Sequence, residues 1–121
     1  MQIIKQSVNI GNLFFTSLPD WLAEVDLVEG GFFCHRNLLS SLKGCPKVVK
    51  RDFWCHYNQL TSLEGAPQRV GGNFYCHHNL LTSLQGCPKE VDRDFYCYNN
   101  PTKFTEEDIR KVCNISGVVY L

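Results

Sequence analysis

The sequence predicts a β-rich solenoid with a short parallel sheet, one strand for each 21-residue coil. Three observations predict it. Cys34, Cys55, Cys76 and Cys97 stand 21 residues apart, each inside one pattern: Phe32-Phe33-Cys34-His35-Arg36-Asn37, Phe53-Trp54-Cys55-His56-Tyr57-Asn58, Phe74-Tyr75-Cys76-His77-His78-Asn79 and Phe95-Tyr96-Cys97-Tyr98-Asn99-Asn100. The repetition continues through Leu39, Leu60 and Leu81, then Ser41-Leu42, Ser62-Leu63 and Ser83-Leu84, a glycine at 44, 65 and 86, a proline at 46, 67 and 88, and a valine at 49, 70 and 91. The period then fails at both ends, where stacked coils need caps. A fixed period of this length marks units that bury their apolar faces only against one another.

Residues 1–29 are expected to form an N-terminal cap built on a degenerate repeat. Thr16-Ser17-Leu18 echoes Thr61-Ser62-Leu63, but the interval to the next phenylalanine is three residues longer. Pro19-Asp20-Trp21-Leu22-Ala23-Glu24 reads as a helical turn with proline at its start. Trp21 is expected to lie over the first coil as its lid.

Residues 30–104 carry the repeats. Within each, the run from Phe to Cys is bulky and alternating, so it reads as a very short strand. Successive strands then lie parallel, about 4.8 Å apart. Side chains alternate faces along a strand, so Phe32, Phe53, Phe74, Phe95 and the four cysteines point inward. Asn37, Asn58, Asn79 and Asn100 are expected inside as well, their amides bonded to backbone at the turn, because a buried amide must be satisfied. Glycine and proline turn the chain into a return segment with no room for a helix, and the outer face is expected to be irregular or extended.

Residues 105–121 should close the other end. Thr105 is a capping hydroxyl with Glu106, Glu107 and Asp108 behind it, favourable at a helix start. Ile109, Val112 and Cys113 fall on one helical face, and Val118-Val119-Tyr120-Leu121 reads as a last strand. The domain organisation is thus one domain over 1–121: cap, repeats, helix/strand cap.

The repeat resembles the leucine-rich repeat family, whose unit reads L-x-x-L-x-L-x-x-N-x-L-x-x-L. The third copy here reads Gly71-x-x-Phe74-x-Cys76-x-x-Asn79-x-Leu81-x-x-Leu84, with Phe and Cys in place of the two strand leucines. The unit length and the Gly and Pro of the return resemble the short bacterial and phage versions, over residues 30 to 104. The resemblance implies a fold counted α/β by the family's convention. It also implies a compact binding protein, and by extension a phage-encoded inhibitor of a host enzyme or defence protein.

Bulk composition narrows the partners. Twelve Lys and Arg balance 12 Asp and Glu, so no net field steers the chain to nucleic acid or an acidic membrane. The opening Met1-Gln2-Ile3-Ile4-Lys5-Gln6-Ser7 lacks the basic start and apolar core of a secretory signal, and a cytoplasmic protein is expected, in the host cytoplasm if phage-encoded. Seven cysteines are an odd count. Six fall in repeat columns, and Ala66 occupies the column of Cys45 and Cys87, so they read as reduced, buried thiols rather than cross-links.

The face opposite the cysteines carries the candidate site. Phe33, Trp54, Tyr75 and Tyr96 form one outward column; His35, His56, His77 and Tyr98 form the next. A third holds Arg36, Tyr57, His78 and Asn99, while Arg51, Asp52, Arg93 and Asp94 fringe the strand starts. Large exposed aromatic area usually marks a contact surface, with Trp54, Tyr75, Tyr57, His56 and His77 as central hot spots, although rings stacking along a ladder also stabilise a sheet. The expected function is non-enzymatic binding of another protein. Aromatic stacking on glycan or single-stranded nucleic acid is one alternative, though Asp52 and Asp94 interrupt any basic groove; self-association is the other.

Chemistry is otherwise declined. A zinc ion needs its nitrogens at about 2.0 to 2.1 Å, whereas rungs stand about 4.8 Å apart, so no metal or other cofactor is expected from the histidine column. Partial protonation of these rings near pH 6.5 is expected instead, making binding to an acidic partner pH-sensitive. Each cysteine adjoins its histidine on a strand, so the two leave by opposite faces and form no catalytic pair.

Overall fold

The computed structural model describes residues 1–121. The chain winds as a solenoid whose coils contribute one two-residue strand to each of two parallel sheets. The first sheet has the order β1 (Ile3–Ile4), β3 (Leu27–Val28), β5 (Val48–Val49), β7 (Arg69–Val70), β9 (Glu90–Val91) and β11 (Asn114–Ile115). The second has β2 (Val8–Asn9), β4 (Phe32–Phe33), β6 (Phe53–Trp54), β8 (Phe74–Tyr75), β10 (Phe95–Tyr96) and β12 (Val119–Tyr120). Every pairing is parallel, and those between the repeat coils keep the 21-residue period, as in Phe53 opposite Phe74 and Val49 opposite Val70.

The second sheet is the expected one; the return, expected to be irregular or extended, is extended and pairs from coil to coil as a sheet of its own. Its valines were legible as core, but a two-residue strand has no alternation to read. Strand bonding outlasts the short strands: Cys34 N–H donates to Trp54 O and Arg36 N–H to His56 O, both at 2.8–3.0 Å. The repeat coils contain no helix, and the tight turn after Leu42, Leu63 and Leu84 falls on Gly44, Gly65 and Gly86 at φ +84° to +91°, a region open to glycine and strained for most other residues.

Both ends are complete coils rather than partial lids. Val8 pairs with Phe32 and Phe95 with Val119, a spacing of 24 instead of 21. The extra residues are absorbed at matching places, by a 3-10 turn at Asp20–Glu24 and by α1 (Glu106–Val112). Leu22 and Ile109 occupy the same position in their coils and both are wholly buried. Trp21 therefore is not the lid: it is 54% exposed while Leu22 is at 0%, since a one-residue step around a tight turn swings a side chain from core to solvent. Likewise Ile109 and Cys113 are buried but Val112 is 50% exposed. Thr105 caps α1 as expected, its Oγ1 accepting from Asp108 N–H at 3.1 Å while Asp108 Oδ2 accepts from Thr105 N–H at 2.9 Å.

A core of 24 buried residues runs from coil to coil. Phe32, Phe53 and Phe74 stack at 5.4 and 5.5 Å within 11° of parallel, and Phe95 follows at 5.1 Å; burying each ring stabilises by about 1.5–3 kcal/mol. Cys34, Cys55, Cys76 and Cys97 line the same interior, and no cysteine is cross-linked.

Two side-chain ladders lock the coils in register. In the first, Asn58 Oδ1 accepts from Leu39 N–H at 3.0 Å and its Nδ2 donates to Cys34 O at 3.0 Å and Cys55 O at 3.2 Å. Asn79 and Asn100 repeat this set one and two coils on, and Asn37 bonds Leu13, Phe15, Ile10 and Cys34 at the first coil. The second runs along the corner between the sheets. Ser7 Oγ accepts from Gly31 N–H, Asp52 Oδ1 from Asn73 N–H, Asn73 Oδ1 from Asp94 N–H, and Asp94 Oδ1 from Val118 N–H, all at 2.8–2.9 Å. Asp52 and Asp94 are thus structural acceptors, not merely a fringe of charge. Gly31 alone offers no side chain, which interrupts this ladder below Asp52.

Candidate functional site

The outward face of the second sheet holds three side-chain columns, fixed by the parallel register. In the first, Phe33 and Trp54 approach to 4.5 Å, Trp54 and Tyr75 to 5.6 Å, and Tyr75 and Tyr96 to 4.4 Å. Tyr120 continues it, stacked on Tyr96 at 4.5 Å and 14°. This residue was missed as part of the site, although Val119-Tyr120 reads directly onto Phe95-Tyr96. All four predicted members are half-buried.

The second column is deeper than expected. His35, His56, His77 and Tyr98 stack face to face at 5.1, 4.6 and 4.6 Å, within 22° of parallel, and Gly11 below leaves the space that His35 fills. His56 and His77 are only 9% and 7% exposed, which corrects their reading as solvent-facing hot spots: alternation puts a side chain on a face, but large neighbours on the rungs above and below bury it there. Burial, with His77, His35, Arg36 and His78 adding lesser repulsion, holds the His56 pKa down at about 3; burial and His78 hold that of His77 down at about 4. Burial also lowers that of His35. The rings are neutral at pH 7, and the expected half-charging near pH 6.5 is overturned.

The surroundings of the two ring nitrogens differ, which bears on where a neutral ring keeps its proton. The Nδ1 atoms of His35, His56 and His77 are buried without a partner, as is Trp54 Nε1. The Nε2 atoms are not among the enclosed ones, so placing the proton there gives it access to water, whereas a buried N–H with no acceptor costs about 1–3 kcal/mol. The column thus presents a row of N–H donors to the outside. No three His, Cys, Asp or Glu side chains converge into a cluster that would hold a metal.

The third column is the most exposed. The Arg36 guanidinium carbon lies 4.4 Å from the Tyr57 ring centre, Tyr57 and His78 stack at 4.3 Å and 8°, and His78 Nε2 meets Asn99 Nδ2 at 2.8 Å. Arg36, Tyr57, His78 and Asn99 all take left-handed backbone, φ 53° to 56°, as does Asn12 on the preceding rung. Leu38 and Leu80, both exposed, flank this edge.

The structure therefore gathers all eleven predicted residues, Phe33, His35, Arg36, Trp54, His56, Tyr57, Tyr75, His77, His78, Tyr96 and Tyr98, on one continuous face. The cysteines lie behind it. Burial raises the pKa of Cys34, Cys55 and Cys76 above the usual thiol range, so these are not thiolates at neutral pH. No helix is long and apolar enough to cross a membrane. Comparison with family models, curated proteins and solved structures found no match to the chain.

Proposed function

We propose that this solenoid is of the leucine-rich repeat type and that it binds another protein through the ring-paved face of its second sheet. The buried asparagine ladder, one amide per coil, and the inward strand residues support the repeat type. The sheeted return, in place of a helix, is a departure from the longer members of that family.

The observation that carries the binding reading is the third column. Three of its four residues are bulky or charged side chains held in left-handed backbone, which costs about 1–2 kcal/mol for a residue with a Cβ. Core packing does not demand them, because Arg36 and Tyr57 are exposed. Strain retained on an exposed row is accounted for by contact with a partner. Ring orientation favours protein over glycan or single-stranded bases. Aromatic faces along the second and third columns are turned onto one another, so they offer edges outward, and those of the first are partly covered by tilted neighbours, whereas sugars and bases stack on faces. Ring edges carry the positive end of the quadrupole, and with the imidazole N–H row they suit carbonyl and carboxylate acceptors.

Affinity capture with the intact chain tests this. Arg36→Ala with Tyr57→Ala should lose the captured protein, and Arg69→Ala on the other sheet should retain it. Equal capture by all three chains refutes the face as the site.

A further inference from the structure

The corner between the sheets holds an open groove of about 700 Å³, and its wall adjoins the ring face through Phe33. Its floor is Gly71 and Gly72, which present no side chains, and Lys50, Arg51 and Arg93 stand around it. Arg51 and Arg93 occupy the same coil position two rungs apart, with Gly72 between them, so two guanidinium groups flank one gap.

Four cations away from the groove are ion-paired. Lys47 pairs with Asp26 on the first-sheet side, Arg69 with Glu90 and Asp92, and Arg110 and Lys111 with glutamates of α1. Lys50, Arg51, Arg93 and Arg36 have no ion-pair partner within the chain, as is also true of Lys5, Lys43, Lys89 and Lys103 elsewhere. The two carboxylates at the groove are Glu29 and Asp52, and Asp52 Oδ1 is already engaged by Asn73 N–H. Three cations without an ion-pair partner, against two carboxylates, thus line the groove at the border of the candidate face.

We infer that the partner is acidic: a carboxylate-rich protein segment crosses the donor-rich ring edges and places its side chains in the corner groove between Arg51 and Arg93. This rests on the protein-binding reading of the ring face and names the partner's chemistry. Guanidinium forks grip carboxylates in two-point contacts, and opposite charge at an interface rim speeds encounter and selects partners. Glu29 and Asp52 break the groove's positive charge into separate points, which suits spaced carboxylate side chains better than the unbroken phosphate row of a nucleic acid.

The probe is a poly-glutamate peptide titrated into the isotope-labelled full chain, with oligothymidylate of equal charge and inorganic phosphate as comparisons. The amides of Gly71 and Gly72 should shift with poly-glutamate, and binding should weaken as salt screens the contact. Arg51→Gln with Arg93→Gln should weaken it about tenfold, the sum of two exposed charge contacts; Arg69→Gln should not. Both arginines are exposed, and an unchanged amide spectrum for the rest of the chain verifies the fold. Absence of poly-glutamate binding, insensitivity to the double substitution, or equal or tighter binding of oligothymidylate or phosphate overturns the inference. Undiminished capture of the protein partner by the Arg51/Arg93 variant also overturns it. Undiminished capture by the Arg36/Tyr57 variant overturns instead the ring-face reading, so the two failures are separate.

Discussion

His56 and His77 lie face to face, ring centroids 4.6 Å apart and 11° from parallel, with neither Nδ1 bonded. A second positive charge in that stack would face the first across a ring thickness, with His35, His78 and Arg36 close by. An unfolded histidine takes its proton near pH 6.5, whereas these rings hold theirs off until about 3 and about 4.

Acid should therefore destabilise the solenoid through this column. Between pH 6.5 and 4 the unfolded chain binds more protons than the folded one, so stability is complete above that window and is lost as pH falls through it. The thermal midpoint should drop across this range, and His56→Tyr with His77→Tyr should flatten the drop, since Tyr98 already fills the same position one rung on. Loss below pH 4 should persist in the variant, because Asp26 and Asp108, whose backbone hydrogen bonds hold their pKa values down, govern that range. A variant that melts as steeply as the parent between pH 6.5 and 4 would sink the assignment.

Asn58 offers a direct test of the buried ladder. Its removal leaves Leu39 N–H, Cys34 O and Cys55 O short of a partner inside the coil, and a buried group left unsatisfied costs about 1–3 kcal/mol. Asn58→Ala should thus lower unfolding free energy by about 2–4 kcal/mol in urea titration, with the slope unchanged. Asn99→Ala next to the equivalent Asn100 should cost only about 1 kcal/mol, the strain of alanine in left-handed backbone, since Asn99 is exposed. Matching effects at both positions would mean the ladder carries no special share of stability.

What was legible in the sequence follows the physics of each feature. Phase was legible: a strict period fixes which side chain faces in, and Phe53, Cys55 and Asn58 are all buried. Depth on the outer face was not, because the burial of His56 depends on Trp54, His77 and Tyr75 around it, contacts that cross rungs. The corner ladder was available but passed over, in the Asp52, Asn73 and Asp94 that precede three of the phenylalanines. The first sheet left no alternating signature, since Val48 and Val49 are its whole strand in that coil.

The thiols should behave as interior groups. Cys34, Cys55 and Cys76 are fully buried with pKa values raised by burial, so alkylation at pH 8 should proceed only as fast as the coils open. Mass spectrometry should find these three unmodified in the native chain under conditions that label all seven free cysteines in denaturant. Rapid native labelling of Cys55, at the centre of the array, would contradict the packing of the core.

The exposed third column separates structural from binding roles. Asn99 shows that this left-handed position accepts asparagine, a residue that tolerates such backbone, yet the chain places Arg36 at φ 53° and His78 at φ 54°. In Arg36→Asn, relief of the backbone, about 1 kcal/mol, is opposed by loss of the exposed contact with Tyr57, about 0.5–1 kcal/mol. The variant should therefore unfold within about 0.5 kcal/mol of the parent while capturing less partner. If Arg36 serves only the solenoid, the result reverses: stability falls and capture holds. Measuring both on the same preparation decides whether the strained row is maintained for the sheet or for what lands on it.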